Sequence, residues 1–142
     1  RGEEFMSLCK GQIKIGKKKV KKRTIRFLFQ RYLKNNYRYI HSEFNNKYKY
    51  EILEPIKIDN LEFFIDLNFN GVNPKEIELR SRDYIDNDEF KLYEEWTKRN
   101  LGVDIGDLSL QKRSFRWGTI KVKLTKLNKD DPGCITIKIK YK

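Results

Sequence analysis

Leu61-Glu62-Phe63-Phe64-Ile65-Asp66-Leu67-Asn68-Phe69, then Asn70-Gly71, then Glu76-Ile77-Glu78-Leu79-Arg80, is the stretch whose pattern decides the fold. The odd positions from 61 to 69 are all apolar, the period of two that puts one face of a strand against a core. Asn70-Gly71 is a turn signal, and Pro74 closes a loop a little longer than a tight hairpin. Residues 76–80 alternate again, so an antiparallel pair follows.

The C-terminal third repeats the pattern. Ile120, Val122 and Leu124 alternate with Lys121, Lys123 and Thr125, and Ile135, Ile137, Ile139 and Tyr141 alternate with Thr136, Lys138, Lys140 and Lys142. Residues 128–133 between them are dense in turn formers. Phe115 and Trp117 have the opposite parity to Ile120, and a bulge at Gly118 is expected to return both rings to the core face.

Two helices complete the pattern. Asp86, Asn87, Asp88 and Glu89 favour a helix N-terminus, Phe90, Tyr93, Trp96 and Leu101 form a stripe with Leu92 beside it, and Gly102 follows Lys98 and Arg99 as a C-terminal stop. The helix is expected over 88–101. A second is expected over about 25–34, with Thr24 as N-cap and Ile25, Leu28, Phe29, Tyr32 and Leu33 on one face. Short strands are expected at 12–15 and 18–22 and near 48–54, whereas 37–50 yields no assignment. The class is α+β: one domain over 6–142, a mostly antiparallel sheet of about six or seven strands, and both helices packed on one of its faces. Arg1–Phe5 ahead of Met6 read as a vector-derived remnant.

The 142 residues carry 32 Lys+Arg against 20 Asp+Glu, a formal charge of +12. With 38% hydrophobic residues and 13% aromatic ones, the chain has material for a core, which argues against a disordered polybasic tail. No apolar run approaches the roughly 18 residues of a membrane span. The charge is unevenly spread: residues 1–50 hold 15 basic and 3 acidic side chains, residues 51–110 hold 7 and 15, and residues 111–142 hold 10 and 2. Basic ends flank an acidic middle.

Three groups of charged residues are candidates for binding. Lys121, Lys123, Lys138, Lys140 and Lys142 are expected on one face of the last hairpin, a cationic ribbon that attracts phosphate backbones, acidic protein or anionic lipid. The plainer account is that outward lysines keep strands soluble and guard sheet edges. Lys17, Lys18, Lys19, Lys21, Lys22 and Arg23 form a denser run, of the kind that contacts polyanions or simply solvates a turn. Asp86, Asp88, Glu89, Glu94 and Glu95 make part of the second helix anionic, mostly through capping and a solvated face. Tyr37, Tyr39, Phe44, Tyr48 and Tyr50 interleave with cations as base-stacking surfaces do, but they fit a strand with tyrosines packed inward better.

Catalytic patterns are sparse. His41 is the only histidine, and Cys9 and Cys134 have no metal-binding spacing. Two idle thiols are expected, a single long-range disulfide being the alternative. Asp66 followed by Glu78-Leu79-Arg80 has the spacing of an acid on one strand and an acid-x-base on the next, as in metal-dependent nucleases with a PD-(D/E)xK core. No Pro precedes Asp66, and arginine stands where lysine belongs. The sequence thus favours a non-catalytic, cytoplasmic binding protein of the immunity or inhibitor type, needing no cofactor and docking a charge-complementary partner protein. The alternative is a sequence-nonspecific nucleic-acid binder using 17–23 and the last hairpin, and a third reading is a divergent nuclease. Oligomeric state is not legible.

Overall fold

The structure, a computed structural model, describes residues 7–82, 84–102, 110–126 and 132–142. Its framework is the expected hairpin, β6 (Leu61–Asn70) with β7 (Asn73–Arg80). Phe63, Ile65, Leu67 and Phe69 of β6 and Ile77 and Leu79 of β7 are buried on one side. The loop is shorter than the sequence suggests. Strand pairing resumes at Asn73, opposite Asn70, and the register shifts where Pro74 faces Phe69. A proline has no N–H for the ladder, and an irregularity of this kind tolerates it.

The last two strands, β9 (Gly118–Lys126) and β10 (Pro132–Tyr141), pair as expected, and β10 docks on β7 in antiparallel register. Added to these are β3 (Tyr39–Phe44), β4 (Lys47–Ile52), β5 (Ile56–Ile58) and β8 (Leu110–Phe115). The sheet runs β3-β4-β6-β7-β10-β9-β8, with β5 paired beside the first residues of β6, and every pairing is antiparallel. A separate hairpin joins β1 (Ile13–Ile15) to β2 (Lys18–Val20), after a 3-10 turn over Ser7–Lys10. The described strands number ten, more than the sequence pattern resolves, and the class is α+β as expected.

Two local expectations change. The unassigned stretch 37–50 holds β3 and most of β4, a hairpin from Tyr39 to Ile52 closed by Asn45 and Asn46 at φ 51° and 62°. Asparagine tolerates such angles, and two successive positive-φ residues match the twist of a two-residue hairpin turn. Gly118 is not a bulge. The chain reverses at Arg116-Trp117, so β8 and β9 are separate strands with Phe115 opposite Gly118, and parity restarts across the turn. Phe115 stacks on Trp117 at 5.2 Å, and the Trp117 indole donates to the Cys9 carbonyl at 2.9 Å. A Cβ on Gly118 would lie 2.0 Å from the Lys140 carbonyl oxygen, so only glycine fits.

Both helices cover the same side of the sheet. In α1 (Arg26–Asn36), Phe29 packs against Phe69 at 5.8 Å and Tyr50 at 6.3 Å. Thr24 does not cap it. Its hydroxyl accepts from the Lys21 amide in the preceding turn, Ile25 takes the cap position, and the Arg26 amide donates to Val72 of the β6–β7 turn. The α1 stripe is narrower than its spacing implies: Phe29 and Leu33 are buried, while Ile25 and Leu28 are exposed. In α2 (Asn87–Leu101), Asp86 and Glu89 form a reciprocal capping box, and Gly102 ends the helix at φ 66°. Trp96 and Tyr93 pack on Phe63 at 4.8 and 5.5 Å. The β1–β2 hairpin joins the same layer through Ile13, Ile15 and Val20, and the Tyr141 hydroxyl donates to Gly11 at 2.7 Å. Cys9 and Cys134 are free thiols. No helix among the described residues is long and apolar enough to cross a membrane.

Candidate binding surface

Among the described residues, the helices and the small hairpin lie over one side of the sheet and none lies over the other, here called the open face. Strand register fixes what stands on it. Along one row Glu51 of β4 faces Asp66 of β6, Asp66 faces Glu78 of β7, and Glu78 faces Lys138 of β10. Lys138 then faces Lys121 of β9, and Lys121 faces Lys112 of β8. At about 4.8 Å per strand the row is roughly 24 Å long. Three carboxylates occupy one half and three ammonium groups the other.

The neighbouring rows keep the division only in part, because Lys49 of β4 and Arg80 of β7 place cations in the acidic half. Glu76 faces Lys140, and Arg80 faces Thr136, which faces Lys123. Lys142 continues the alternation one residue beyond β10, which ends at Tyr141. The halves meet at Glu78 and Lys138, with Oε1 and Nζ 4.0 Å apart, and Lys49 tempers the acidic half through Glu51 at 3.3 Å. Burial pushes the Asp66 carboxyl above its ordinary pKa. The Glu51 and Glu78 carboxylates push the same way, while Lys49 and Arg80 oppose.

Like charges directly opposite one another destabilise a sheet. Edge protection does not account for the lysines, because β9 and β10 are internal and only β8 of the three is an edge. The arrangement suits a surface completed from outside: an anion laid over the lysines, or a cation over the carboxylates, would relieve the repulsion.

The other predicted groups lie elsewhere. Lys17 sits in the β1–β2 turn, Lys18 and Lys19 on β2, and Lys21, Lys22 and Arg23 in the turn before α1. All belong to the covering layer, so the two basic segments do not merge into one surface. Asp86, Asp88, Glu89, Glu94 and Glu95 also lie on that side, at or in α2. Asp86 and Glu89 are engaged in the cap, and Glu89 also pairs with Arg82. His41 stacks on Tyr50 at 4.9 Å. Tyr50 is buried and Tyr37, Tyr39 and Tyr48 are half-buried, which fits their packing inward, whereas Phe44 is 75% exposed. Burial, with the neighbouring Tyr32 hydroxyl, pushes the Tyr37 hydroxyl up to about 12.

Asp66 and Glu78 do stand side by side, but on the open face, and the Arg80 guanidinium lies 5.8 Å from the Phe64 ring. Among the described residues no group of three or more His, Cys, Asp or Glu side chains is arranged to hold a metal ion. Sequence reasoning missed Glu51, Glu76 and Lys112 as parts of the surface. Their alternation is visible in the chain, but their alignment depends on β10 pairing with β7, which no local signal announces.

No protein-family model matches the chain, and searches of curated proteins and of solved structures find no match to it.

Proposed function

We propose that this chain is a non-catalytic binding protein, of the type that acts as an immunity or inhibitor module, and that it docks a partner protein through the open sheet face. The observation that carries the reading is the six-strand row from Glu51 to Lys112, acidic in one half and basic in the other. A face divided in this way fixes the orientation of a partner bearing the opposite division and speeds its approach. A uniform polyanion would satisfy the lysines but be repelled by Glu51, Asp66 and Glu78.

A second reading has its own support. Lys112, Lys121, Lys123, Lys138 and Lys140 share one face of three adjacent strands, a cationic strip able to follow a phosphate backbone without reading sequence. Anisotropy titration with duplex and single-stranded DNA and RNA at two salt concentrations separates the two. Docking to a protein predicts no nucleic-acid binding at about 0.1 M salt. Submicromolar binding with a steep salt slope would replace the first reading with the second.

A further inference from the structure

The covering layer holds a surface of a different kind. Between residues 7 and 42 the chain has twelve Lys and Arg and no Asp or Glu. This segment builds the 3-10 turn, the β1–β2 hairpin, α1 and most of β3. Lys17, Lys19, Lys21, Lys22, Arg23 and Arg31 are all exposed. Amid these cations the first turn of α1 is apolar on its outside. Phe27 is 58% exposed, and it lies about 200° around the helix from the buried Phe29, so the core does not account for it. Leu28 and Ile25 are exposed beside it, and Val72, 57% exposed, adjoins them through the Arg26–Val72 backbone hydrogen bond.

We propose that this apolar tip and its lysine surround dock on an anionic lipid bilayer. An apolar protrusion entered through the exposed cationic turn Lys21-Lys22-Arg23 fits the boundary between headgroups and acyl chains, where apolar burial and attraction to anionic lipid act together. The side chains favour lipid over nucleic acid. Of the exposed side chains at the tip only Phe27 can stack on a base; Ile25, Leu28 and Val72 cannot, and the planar Tyr32 is held inward, its hydroxyl donating to Ile15 and accepting from the Lys17 amide. The acidic helix does not interfere: α2 packs at Phe63 and α1 at Phe69, roughly 20 Å apart along β6. The surface lies on the opposite side of the sheet from the charge-divided face, so it stands or falls independently of the function proposed above.

The test is co-sedimentation with phosphatidylcholine vesicles, with and without phosphatidylserine, at about 0.15 M salt. The wild-type chain is expected to bind only the phosphatidylserine vesicles. Phe27→Ser should weaken that binding roughly tenfold, the worth of a lost apolar insertion. Joint reversal of Lys19, Lys21 and Lys22 to Glu should abolish it, whereas reversal of Lys121, Lys138 and Lys140 should leave most of it. Phe27→Trp keeps the site folded and reports depth, through a blue-shifted emission quenched by brominated acyl chains. Unchanged binding by Phe27→Ser, an unquenched Trp at 27, or loss of binding only on reversal of the open-face lysines would overturn the proposal. So would Phe27-dependent binding of single-stranded nucleic acid without vesicle binding.

Discussion

Glu78 on β7 and Lys138 on β10 stand directly opposite each other, Oε1 to Nζ 4.0 Å, on the line where the open face changes sign. On one side Glu78 adjoins Asp66, and on the other Lys138 adjoins Lys121. The contact is partly solvent-exposed and, at 4.0 Å, contributes little to stability by itself. Its importance is positional, because it joins two like-charged runs into one polarised surface.

Reversing Lys121, Lys138 and Lys140 together to Glu removes the polarity while leaving the core untouched. The far-UV circular dichroism and the unfolding midpoint should stay near wild type, and affinity for a charge-complementary partner should fall at least tenfold, or about 1.4 kcal/mol. Loss of structure in the variant would show that these side chains support the fold.

Asp66 gives a pH signature. Its folded-state pKa is raised, chiefly by burial, above the ordinary 3.8, so the folded chain holds the proton more tightly than the unfolded one. The associated stability is complete below the unfolded value and is lost as pH rises through the raised folded value. Asp66→Asn should therefore be more stable at pH 7, by less than about 1 kcal/mol because water screens the half-buried group. The advantage should vanish below pH 3.8. Urea titrations at the two pH values check this, and a wild type more stable at pH 7 would contradict it.

Trp96 is fully buried against Phe63, and its indole donates to the Ile58 carbonyl at 2.7 Å. Trp96→Ala should cost about 3–5 kcal/mol in equilibrium unfolding. A cost under about 1 kcal/mol would mean that α2 is not seated on the sheet as described.

Gly118→Ala places a methyl group 2.0 Å from the Lys140 carbonyl oxygen, inside the β9–β10 ladder. Backbone cannot yield as a side-chain tip can, so the loss should exceed about 1 kcal/mol. Thermal unfolding that leaves the midpoint unchanged would refute the close approach of these strands.

How much of this the sequence revealed follows from which signals are local. β6, β7, β9, β10 and α2 each carry their own periodicity, turn residues or caps, and each lies where its pattern places it. β3 escaped detection because only Tyr39 of its residues is even half-buried, leaving no alternation to find. β5 has only three residues, and β8 was absorbed into β9 because a two-residue reversal resembles a bulge in one dimension. The lysines of the last hairpin were found from parity alone. The densest acidic run in the chain lies at α2, whereas the acidic counterpart of these lysines stands on β4, β6 and β7, because the neighbour of β10 is set by long-range pairing with β7. The apolar tip of α1 was not read from the sequence, because helical spacing assigns Ile25 and Leu28 to the core stripe and only the packing of Phe29 and Leu33 shows that they and Phe27 stay exposed.

Site-specific photo-crosslinking in the source cells tests the central claim most directly. A benzoylphenylalanine is placed at Lys123 in the basic half of the open face, at Glu51 in the acidic half, and at Lys14 on the covering layer as control. The charge-divided face predicts that positions 123 and 51 crosslink to one and the same protein and that position 14 does not. Adducts to nucleic acid at position 123, or no protein adduct at either open-face position, would contradict it.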